Sequence, residues 1–437
     1  MTAPHLRIHA IDIAERPVVF TQPFRFGSMT MTAAPQAYVR VSAEVEGSAT
    51  VGASAELMVP KWFDKDPAKS PEQTIAELRR SLVLARKAYL GGEDTAFGLH
   101  AARIGGQVAV CRREGIPRLA AAFGPAEIDK AVLDALFRAC GVGAFEGLAR
   151  NLGGLDARLT PDLDETAIEA FLAGRAPRSS VPVRHAVGLL DPLDGLPEAL
   201  RATGSRYLKI KLGGDLAADR ARLAAIGTLL EGRVLGASLD ANEQYALAAL
   251  RELADALDGD PSLRPIRERL IYVEQPLPRE DTFDEAPGIL LPLVVDEADD
   301  AYDAFPRARA LGYAGVSSKS CKGLWKALLN AVRAQAPGLF MTAEDLTCQP
   351  GLALQQDTVL AAFIGVPHAE RNGHRYVDGF TDSAEGDLFA RGLPFLYRRG
   401  DDGRVRLSLE NGEIAATVLG TTAGYGSVVH PDALPLF

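Results

Sequence analysis

The amino-acid sequence predicts an α/β protein in which a closed barrel of repeating strand–helix units follows a smaller α+β domain. The main observation is a set of five polar segments, each placed directly after a β-like apolar run. They are Lys209-Ile210-Lys211, Asp240-Ala241-Asn242, Glu274-Gln275-Pro276, Asp296-Glu297 and Lys319-Ser320-Cys321-Lys322. From Lys211 onward they are spaced by 29, 34, 22 and 23 residues, which is the pitch of a strand–helix unit. With about eight strands at this pitch, we expect a TIM-type (β/α)7β-like barrel.

The regions on either side of the barrel have different patterns. Up to about residue 60, β-like runs alternate with turn residues, as in an antiparallel meander in which residues 6–13 and 18–20 form separate strands. Helical patterns follow from Ser70, with Pro71 at the first helical position. We therefore predict an α+β domain over residues 1–155, the barrel over 156–380, and a segment over 381–437 that returns to the first domain.

Composition excludes several classes of protein. The 437 residues carry a net charge of -10, which argues against nucleic acid and anionic membranes as partners. No apolar run reaches the roughly 18 residues that span a bilayer, and the first residues do not resemble a signal peptide. The four cysteines are far apart and contain no CxxC pair, as expected of reduced thiols. We expect a cytoplasmic protein.

Three acids at consecutive strand ends are the candidate metal ligands. They are Asp240, Glu274 and Asp296. A single acid at such a position usually caps a turn or a helix, but three in succession would converge at one mouth of a closed barrel. Oxygen donors without His or Cys favour Mg²⁺, with Mn²⁺ as the alternative, over Zn²⁺.

Two lysines precede these acids on one strand. Lys209 and Lys211 alternate with apolar residues, so both side chains point to the same side of an extended strand. The alternative is a solvated strand face, but inside a barrel the lysines would need anionic partners, which the next strand supplies. A second ammonium group nearby can lower the pKa of a lysine into the range of a general base.

A third lysine, Lys319, lies four strands further along, on the opposite side of an eight-strand ring. Lys322, at the start of the next helix, is expected to be a structural or surface residue, and Cys321 a packed thiol. Glu344 or Asp345, at the seventh strand end, could pair with a lysine, contact the substrate or cap a helix. The full set of candidates for substrate contact or for support of the ligands is Asn242, Glu297, Glu344, Asp345 and Glu370.

Together these segments resemble the enolase superfamily, specifically the muconate lactonizing enzyme-like subgroup of the mandelate racemase/muconate lactonizing enzyme family. The matching pieces are the KxK, DxN, ExP, Asp-Glu and KxxKG motifs that begin at residues 209, 240, 274, 296 and 319. Each motif is weak alone, and the resemblance spans essentially the whole chain. It implies that the first domain, completed by the C-terminal segment, is a capping domain.

The resemblance also implies site roles. Asp240, Glu274 and Asp296 would ligate Mg²⁺, while Lys211 and Lys319 would face each other across the substrate. Lys209 would tune Lys211. A Lys base beside Mg²⁺ that stabilises an enediolate is the chemistry this likeness implies.

The chain departs from the pattern at several points. Glu297 is followed by Ala298 where the subgroup often has Ser, and the step from Glu274 is slightly short, so Glu297 remains a fallback ligand. No His occurs within residues 342–350 at the end of the seventh strand, and the sixth strand ends in Lys rather than Asp, which argues against a His–Asp dyad. Two segments look like capping-domain loops, although they could equally be ordinary core and turn residues: Phe24-Arg25-Phe26-Gly27 and Val59-Pro60-Lys61-Trp62-Phe63.

From these residues we predict a Mg²⁺-dependent enzyme that abstracts a proton α to a carboxylate through an enediolate. A racemase, epimerase or cycloisomerase is favoured. Lysines on both faces of a substrate permit racemisation or epimerisation, whereas a lysine used only as a cation permits elimination or cycloisomerisation. The alternative is a lyase on the same site, either an acid-sugar dehydratase or a succinylbenzoate synthase-like enzyme. A catalytically silent metal-binding barrel is the third interpretation. The expected partner is a small-molecule carboxylate, and we expect a homo-oligomer.

Overall fold

The computed structural model describes residues 3–434 except 231 and 233. An antiparallel sheet with helices packed against it precedes a closed, eight-stranded parallel barrel, so the predicted fold class is confirmed. No helix within the described residues is both long and apolar enough to cross a membrane.

The first domain, called the cap below, is built on a four-stranded sheet in the order β3-β2-β1-β4. Its strands are β1 (Leu6–Phe26), β2 (Met29–Val45), β3 (Ser48–Leu57) and β4 (Glu93–Asp94). Its main helices are α1 (Pro71–Tyr89), α2 (Ala96–Arg113) and α3 (Arg118–Ala139). The predicted meander is present, but residues 6–13 and 18–20 form one strand rather than two, because β2 pairs with β1 through Pro17↔Pro35 and on to Phe26↔Met29.

Helix α1 begins where the sequence predicts. The Ser70 hydroxyl accepts a hydrogen bond from the backbone N–H of Gln73, and the Gln73 side chain accepts one from the Ser70 N–H at 2.6 Å. This capping box satisfies two N–H groups that a helix N-terminus leaves without partners.

The barrel consists of eight parallel strands in chain order, and β12 pairs with β5 to close the ring. The strands are β5 (Ser180–Val187), β6 (Tyr207–Lys211), β7 (Gly236–Asp240), β8 (Leu270–Glu274), β9 (Leu293–Val295), β10 (Gly315–Ser318), β11 (Phe340–Glu344) and β12 (Ala369–Glu370). The helices before and between them are α4 (Ala144–Ala149), α5 (Glu165–Ala173), α6 (Leu196–Thr203), α7 (Leu216–Leu229), α8 (Leu247–Gly259), α9 (Arg264–Arg267), α10 (Ala304–Ala310), α11 (Leu324–Arg333) and α12 (Leu352–Ile364).

Strand register places the polar strand ends at one level. Lys211 pairs with Asp240, and Asp240 pairs with Glu274, across neighbouring parallel strands. On the far side of the ring, Glu344 pairs with Glu370. Because side chains alternate along a strand, these residues point to the same side of the barrel wall. Strands β6 and β10 are opposite each other in the ring of eight, as the sequence predicts for Lys211 and Lys319.

The last part of the chain contacts both the cap and the barrel. Its elements are α13 (Gly373–Tyr376), α14 (Ser383–Gly392), β13 (Tyr397–Arg399), β14 (Val405–Leu407), β15 (Glu413–Ala415) and α15 (Thr417–Thr421). Strand β15 pairs antiparallel with β5 of the barrel. Glu385 accepts a hydrogen bond from the Tyr38 hydroxyl at 3.0 Å, and Asp134 accepts one from the Tyr425 N–H at 2.7 Å. The domain limits at 155 and 380 stay predictions.

Gly52, in β3, packs closely against α3, the longest described helix of the cap. A Cβ there would lie 2.2 Å from both the Ala131 oxygen and the Ala135 nitrogen, which are backbone atoms of α3. Gly52→Ala should therefore lower the free energy of unfolding, by about 1–3 kcal/mol as in overpacked cores. Urea unfolding followed by circular dichroism measures this.

The matched control is Gly105→Ala within α2, where nothing lies within 4 Å of an added Cβ. Because Ala favours a helix over Gly, this change should stabilise the protein by up to about 1 kcal/mol. Equal stabilities for the two variants would contradict the packing argument.

Candidate active site

Lys209 is the centre of the charged side chains at the carboxyl end of the barrel. Its Nζ lies 2.9 Å from Asp240 Oδ2, 3.0 Å from Glu274 Oε2, and 2.6 Å from both Glu344 Oε1 and Glu370 Oε2. Lys209 is fully buried. Burial alone would lower the pKa of Lys209, but the four carboxylates raise it well above its usual value. Lys209 is therefore a fixed cation that holds four acids together.

Three carboxylates in this region are close enough to share one metal ion. Glu274, Asp296 and Glu344 each provide an oxygen, and these three atoms lie within 4.8 Å of one another. The structure thus brings two of the three predicted ligands, Glu274 and Asp296, together with Glu344. From the sequence, three roles were open for Glu344: pairing with a lysine, contact with the substrate or capping of a helix. An oxygen-only donor set suits Mg²⁺.

Glu274 provides the test of whether a metal fits. It is fully buried, and neither of its carboxylate oxygens accepts a hydrogen bond from the described residues, although the ammonium group of Lys209 lies 3.0 Å from Oε2. Burial, followed by the charge of Glu344, raises the pKa of Glu274 well above its usual value. A divalent cation would remove both penalties, because it supplies the missing partner and the missing positive charge.

Asp240 lies beside this group and is bound by lysines. Its Oδ2 is 2.9 Å from Lys209 Nζ and 2.5 Å from Lys211 Nζ. Burial opposes ionisation, but the two ammonium groups hold the pKa of Asp240 well below its usual range. Asp240 is thus a carboxylate ready to bind a cation, and its role as a ligand stays a prediction.

Lys211 is held by two acceptors at the pocket. Its Nζ contacts Asp240 and donates to Asn242 Oδ1 at 3.1 Å. Burial, the largest influence, and Lys209 act to lower the pKa of Lys211, but Asp240 together with Glu370 and Glu344 raises it above its usual value. Lys209 therefore acts in the predicted direction, yet these protein groups by themselves do not bring Lys211 into the range of a base at neutral pH.

Glu297 lies toward the cap, away from the three-carboxylate group. Its Oε1 accepts from Asn242 Nδ2 at 3.1 Å and from Lys65 Nζ at 2.9 Å. Lys65 also pairs with Glu243 at 2.5 Å. Lys65 is a residue that the sequence did not single out, because a lone lysine in a loop carries no periodic signal. Its contacts tie the cap loop to the fifth strand end.

Lys319 is enclosed by acids and an aromatic ring. Its Nζ lies 2.5 Å from Asp296 Oδ2, 2.6 Å from Glu344 Oε2 and 4.8 Å from the centre of the Trp62 ring. Lys322 is buried rather than exposed, and it donates to the backbone oxygens of Ser317 at 2.7 Å and Asp296 at 2.9 Å. The sequence left two alternatives for Lys322, a structural residue or a surface residue. Its burial excludes the surface position and agrees with the structural one.

Aromatic side chains of the cap cover both outer lysines. The Phe24 ring centre is 5.8 Å from Lys211 Nζ, on the other side of the pocket from Trp62. The cap residues that line the pocket are Phe24, Phe26, Met31, Val59 and Trp62. Both segments that resembled capping loops therefore contribute to the pocket, while Phe63 packs edge-on against Phe123 in the cap core. One wall of the pocket is charged and the other is apolar.

Two further candidates line the pocket from the barrel, Asp345 and Glu370. Glu370 accepts from Asn372 Nδ2 at 2.5 Å in addition to its contact with Lys209. Asp345 accepts from the Thr347 N–H at 3.0 Å, and burial raises its pKa to about 8. Asp345 is outside the three-carboxylate group and lies 3.9 Å from Arg371, so it supports the loop after β11.

The adjacent acids Asp296 and Glu297 provide a test of the metal group. Glu274→Gln and Asp296→Asn should each weaken Mg²⁺ binding at least about tenfold, since each removes a buried charged ligand. Isothermal titration calorimetry with Mg²⁺ measures this, with circular dichroism to confirm folding. Glu297→Gln is the matched control, because Lys65 and Asn242 hold that side chain elsewhere. If Glu297→Gln lost Mg²⁺ binding while Asp296→Asn retained it, the ligand would be Glu297 instead of Asp296.

The fold of this chain is similar to that of several solved structures, although no family model and no curated protein match it. An enolase from Bradyrhizobium, complexed with magnesium and mandelic acid, has 18% identity and a TM-score of 0.65; the match covers 99% of this chain and 98% of that one. A dipeptide epimerase from Enterococcus faecalis V583, complexed with Mg and L-Leu-L-Tyr, has 17% identity and a TM-score of 0.65, with coverage of 96% and 99%. Muconate lactonizing enzyme from Mucobacterium Smegmatis, complexed with muconolactone, has 17% identity and a TM-score of 0.65, with coverage of 98% of both chains. The chain therefore has the fold of the enolase superfamily, as found in members of the mandelate racemase/muconate lactonizing enzyme family.

Proposed function

We propose that this protein is a Mg²⁺-dependent enzyme that removes the proton α to the carboxylate of a small molecule and acts as a racemase, epimerase or cycloisomerase. One observation carries the proposal. Lys211 and Lys319, from opposite strands of the ring, line a single pocket beside a group of carboxylates suited to a divalent cation. A proton donor and a proton acceptor on opposite faces of a planar intermediate are what inversion of a carbon centre requires.

The reaction needs charge compensation. Loss of the α-proton converts a carboxylate into an enediolate with two negative charges, which is unstable without a cation at its oxygens. Glu274 and Asp296, with Asp240 or Glu344, would hold the Mg²⁺. When bound, that ion supplies a Lewis acid to the substrate carboxylate. Lys209 remains a cation behind these acids and keeps them ionised and in place.

The outer lysines would move the proton. Lys211 and Lys319 are both buried, and aromatic rings of the cap cover them, so water is largely excluded from the reacting carbon. Exclusion of water strengthens the interaction between an ammonium group and a developing negative charge. A cation held by the neighbouring carboxylates would offset the negative charge that raises the pKa of Lys211 and Lys319, which would favour the neutral form that a lysine needs to act as a base.

The pocket walls suggest the shape of the substrate. The polar wall formed by the barrel would receive the carboxylate, whereas Phe24, Phe26 and Met31 face the rest of the molecule. None of the described residues that line this pocket from the cap is charged. A compact substituent with apolar surface therefore suits the pocket. Mandelic acid and a Leu-Tyr dipeptide, the ligands of two structural neighbours, are also carboxylates with aromatic groups.

A lyase on the same site is the second candidate, and one feature favours it. Lys319 lies between Asp296 and Glu344 with Trp62 over its ammonium group. Both the ion pairs and the aromatic face favour the charged form. If Lys319 stays a cation throughout, only Lys211 can act as a base, and one-base chemistry suits elimination of water from an acid sugar or from a precursor of succinylbenzoate.

Incubation with a set of carboxylates in D₂O, followed by mass spectrometry and chiral chromatography, separates the candidates. We expect α-deuterium together with inverted configuration for at least one compound, because each lysine serves one face. Loss of water would instead identify a lyase. No exchange with any acid, in protein shown to bind Mg²⁺, would support a silent barrel and contradict the proposal.

Substitution of each lysine tests its role directly. Lys319→Ala should stop exchange of one enantiomer and Lys211→Ala that of the other, by roughly 10²–10⁴-fold, the usual value of a positioned acid or base. Lys87→Ala, on the exposed face of α1, is the matched control and should leave both rates unchanged. Wild-type exchange of both enantiomers by Lys319→Ala would leave Lys211 as the single base and favour the lyase.

A further inference from the structure

A second cluster of buried polar residues lies where the cap contacts the barrel, outside the pocket described above. We propose that Glu56, Cys348 and Asp357, called the interface triad below, bind a divalent metal ion of the zinc type, separate from the Mg²⁺ group. Glu56 belongs to β3 of the cap, Cys348 to the loop after β11, and Asp357 to α12. The proposed site does not depend on the function proposed above.

The interface triad has the geometry of a metal site. One carboxylate oxygen of Glu56, one of Asp357 and the Cys348 sulfur all lie within 4.8 Å of one another, and the three residues are buried. The Cys348 thiol donates to Glu56 Oε1 at 2.9 Å. Three donor atoms from separate segments thus converge on one small volume, which is the arrangement that a single cation can bridge.

Asp357 is the observation that points to a ligand. Its side chain is inside the protein, with 4% of the residue exposed, and neither oxygen accepts a hydrogen bond of good geometry from the described residues. Burial and the charge of Glu56 raise the pKa of Asp357 to about 6, in spite of Lys130, Arg371 and Ser320 nearby. A buried carboxylate without a donor is costly, and a bound cation would remove the cost.

The charges of the surrounding residues leave room for a cation. Glu56, Glu127 and Asp357 are three buried acids, and Lys130 is the ammonium group that contacts two of them, at 3.4 Å from Glu56 Oε2 and 2.9 Å from Glu127 Oε1. Lys130 contacts Oε2 of Glu56, whereas the Cys348 thiol donates to Oε1, so the oxygen that meets the sulfur is not the one that Lys130 contacts.

The donor types select the metal. A thiolate with two carboxylates suits Zn²⁺, which takes sulfur and oxygen ligands, whereas the oxygen-only group at the barrel mouth suits Mg²⁺. Burial keeps the Cys348 thiol protonated, since it raises the pKa well above the usual value. Binding would release this proton, as occurs when a cysteine becomes a metal ligand. The bound ion would then join β3 of the cap to two segments of the barrel.

Cobalt substitution tests the site in the full-length protein. The protein is first freed of metals with a chelator and then titrated with Co²⁺. A near-ultraviolet charge-transfer band between thiolate and Co²⁺ is expected, and only a cysteine ligand produces it, so Co²⁺ bound to the oxygen-only group does not interfere. When Zn²⁺ is then added to the same samples, it should displace Co²⁺ from the site and the band should disappear. Absence of the band from Co²⁺-loaded wild-type protein would overturn the proposal.

Variants assign the band to its residues. Cys348→Ser should abolish it, while Cys111→Ser, which removes a buried thiol in α2, should retain it. Asp357→Asn keeps the thiol and should weaken Co²⁺ binding at least tenfold, which covers the case in which Cys348→Ser does not fold. Asp296→Asn should leave the band intact, so that failure of the Mg²⁺ group is distinguished from failure of the interface triad. Persistence of the band in folded Cys348→Ser, or unchanged Co²⁺ affinity in Asp357→Asn, would contradict the site.

Discussion

Compensation of buried charge is the constraint on which the active-site region depends. Lys209 contacts Asp240, Glu274, Glu344 and Glu370, and none of these five side chains reaches solvent to any useful extent. An unpaired charge in such a place costs several kcal/mol, so each group fixes the position of the others. Lys211 and Lys319 compensate two of these acids, Asp240 and Glu344. Glu274 is different, because neither of its buried oxygens accepts a hydrogen bond from the described residues, and it is there that a bound cation would stabilise the group most.

Much of the fold and part of the site follow from local rules. Apolar runs of strand length, regular spacing and polar strand ends are properties of the chain itself, and they predicted both the barrel and the convergence of Glu274 with Asp296. Glu344 was identified only as a candidate, because which of several acids lies nearest to a metal depends on side-chain packing across the ring. Lys65 and the covering rings of Phe24 and Trp62 depend on how the cap docks, and no periodic pattern records that contact.

The cap and the barrel divide the work of recognition and chemistry. The barrel supplies every charged group that lines the pocket, whereas the cap supplies most of its apolar surface. Lys65 joins the two through Glu243, which follows β7, and Glu297, which follows β9. A shift of the cap loop would therefore disturb Asn242. This side chain donates to the same Glu297 oxygen as Lys65 and accepts a hydrogen bond from Lys211. In this way the position of an apolar lid is linked to the position of a basic side chain.

The hydrogen bond from Tyr38 to Glu385 has a consequence for synthesis on the ribosome. The two residues are 347 positions apart, and the link between Asp134 and Tyr425 spans 291. Translation at about 5–20 residues per second delivers the cap sheet long before its last partners emerge. For most of that interval the buried face around Tyr38 has no C-terminal segment to cover it. The cap is thus the first domain to be made and the last to be completed, because its final contacts form only when the end of the chain has left the ribosome.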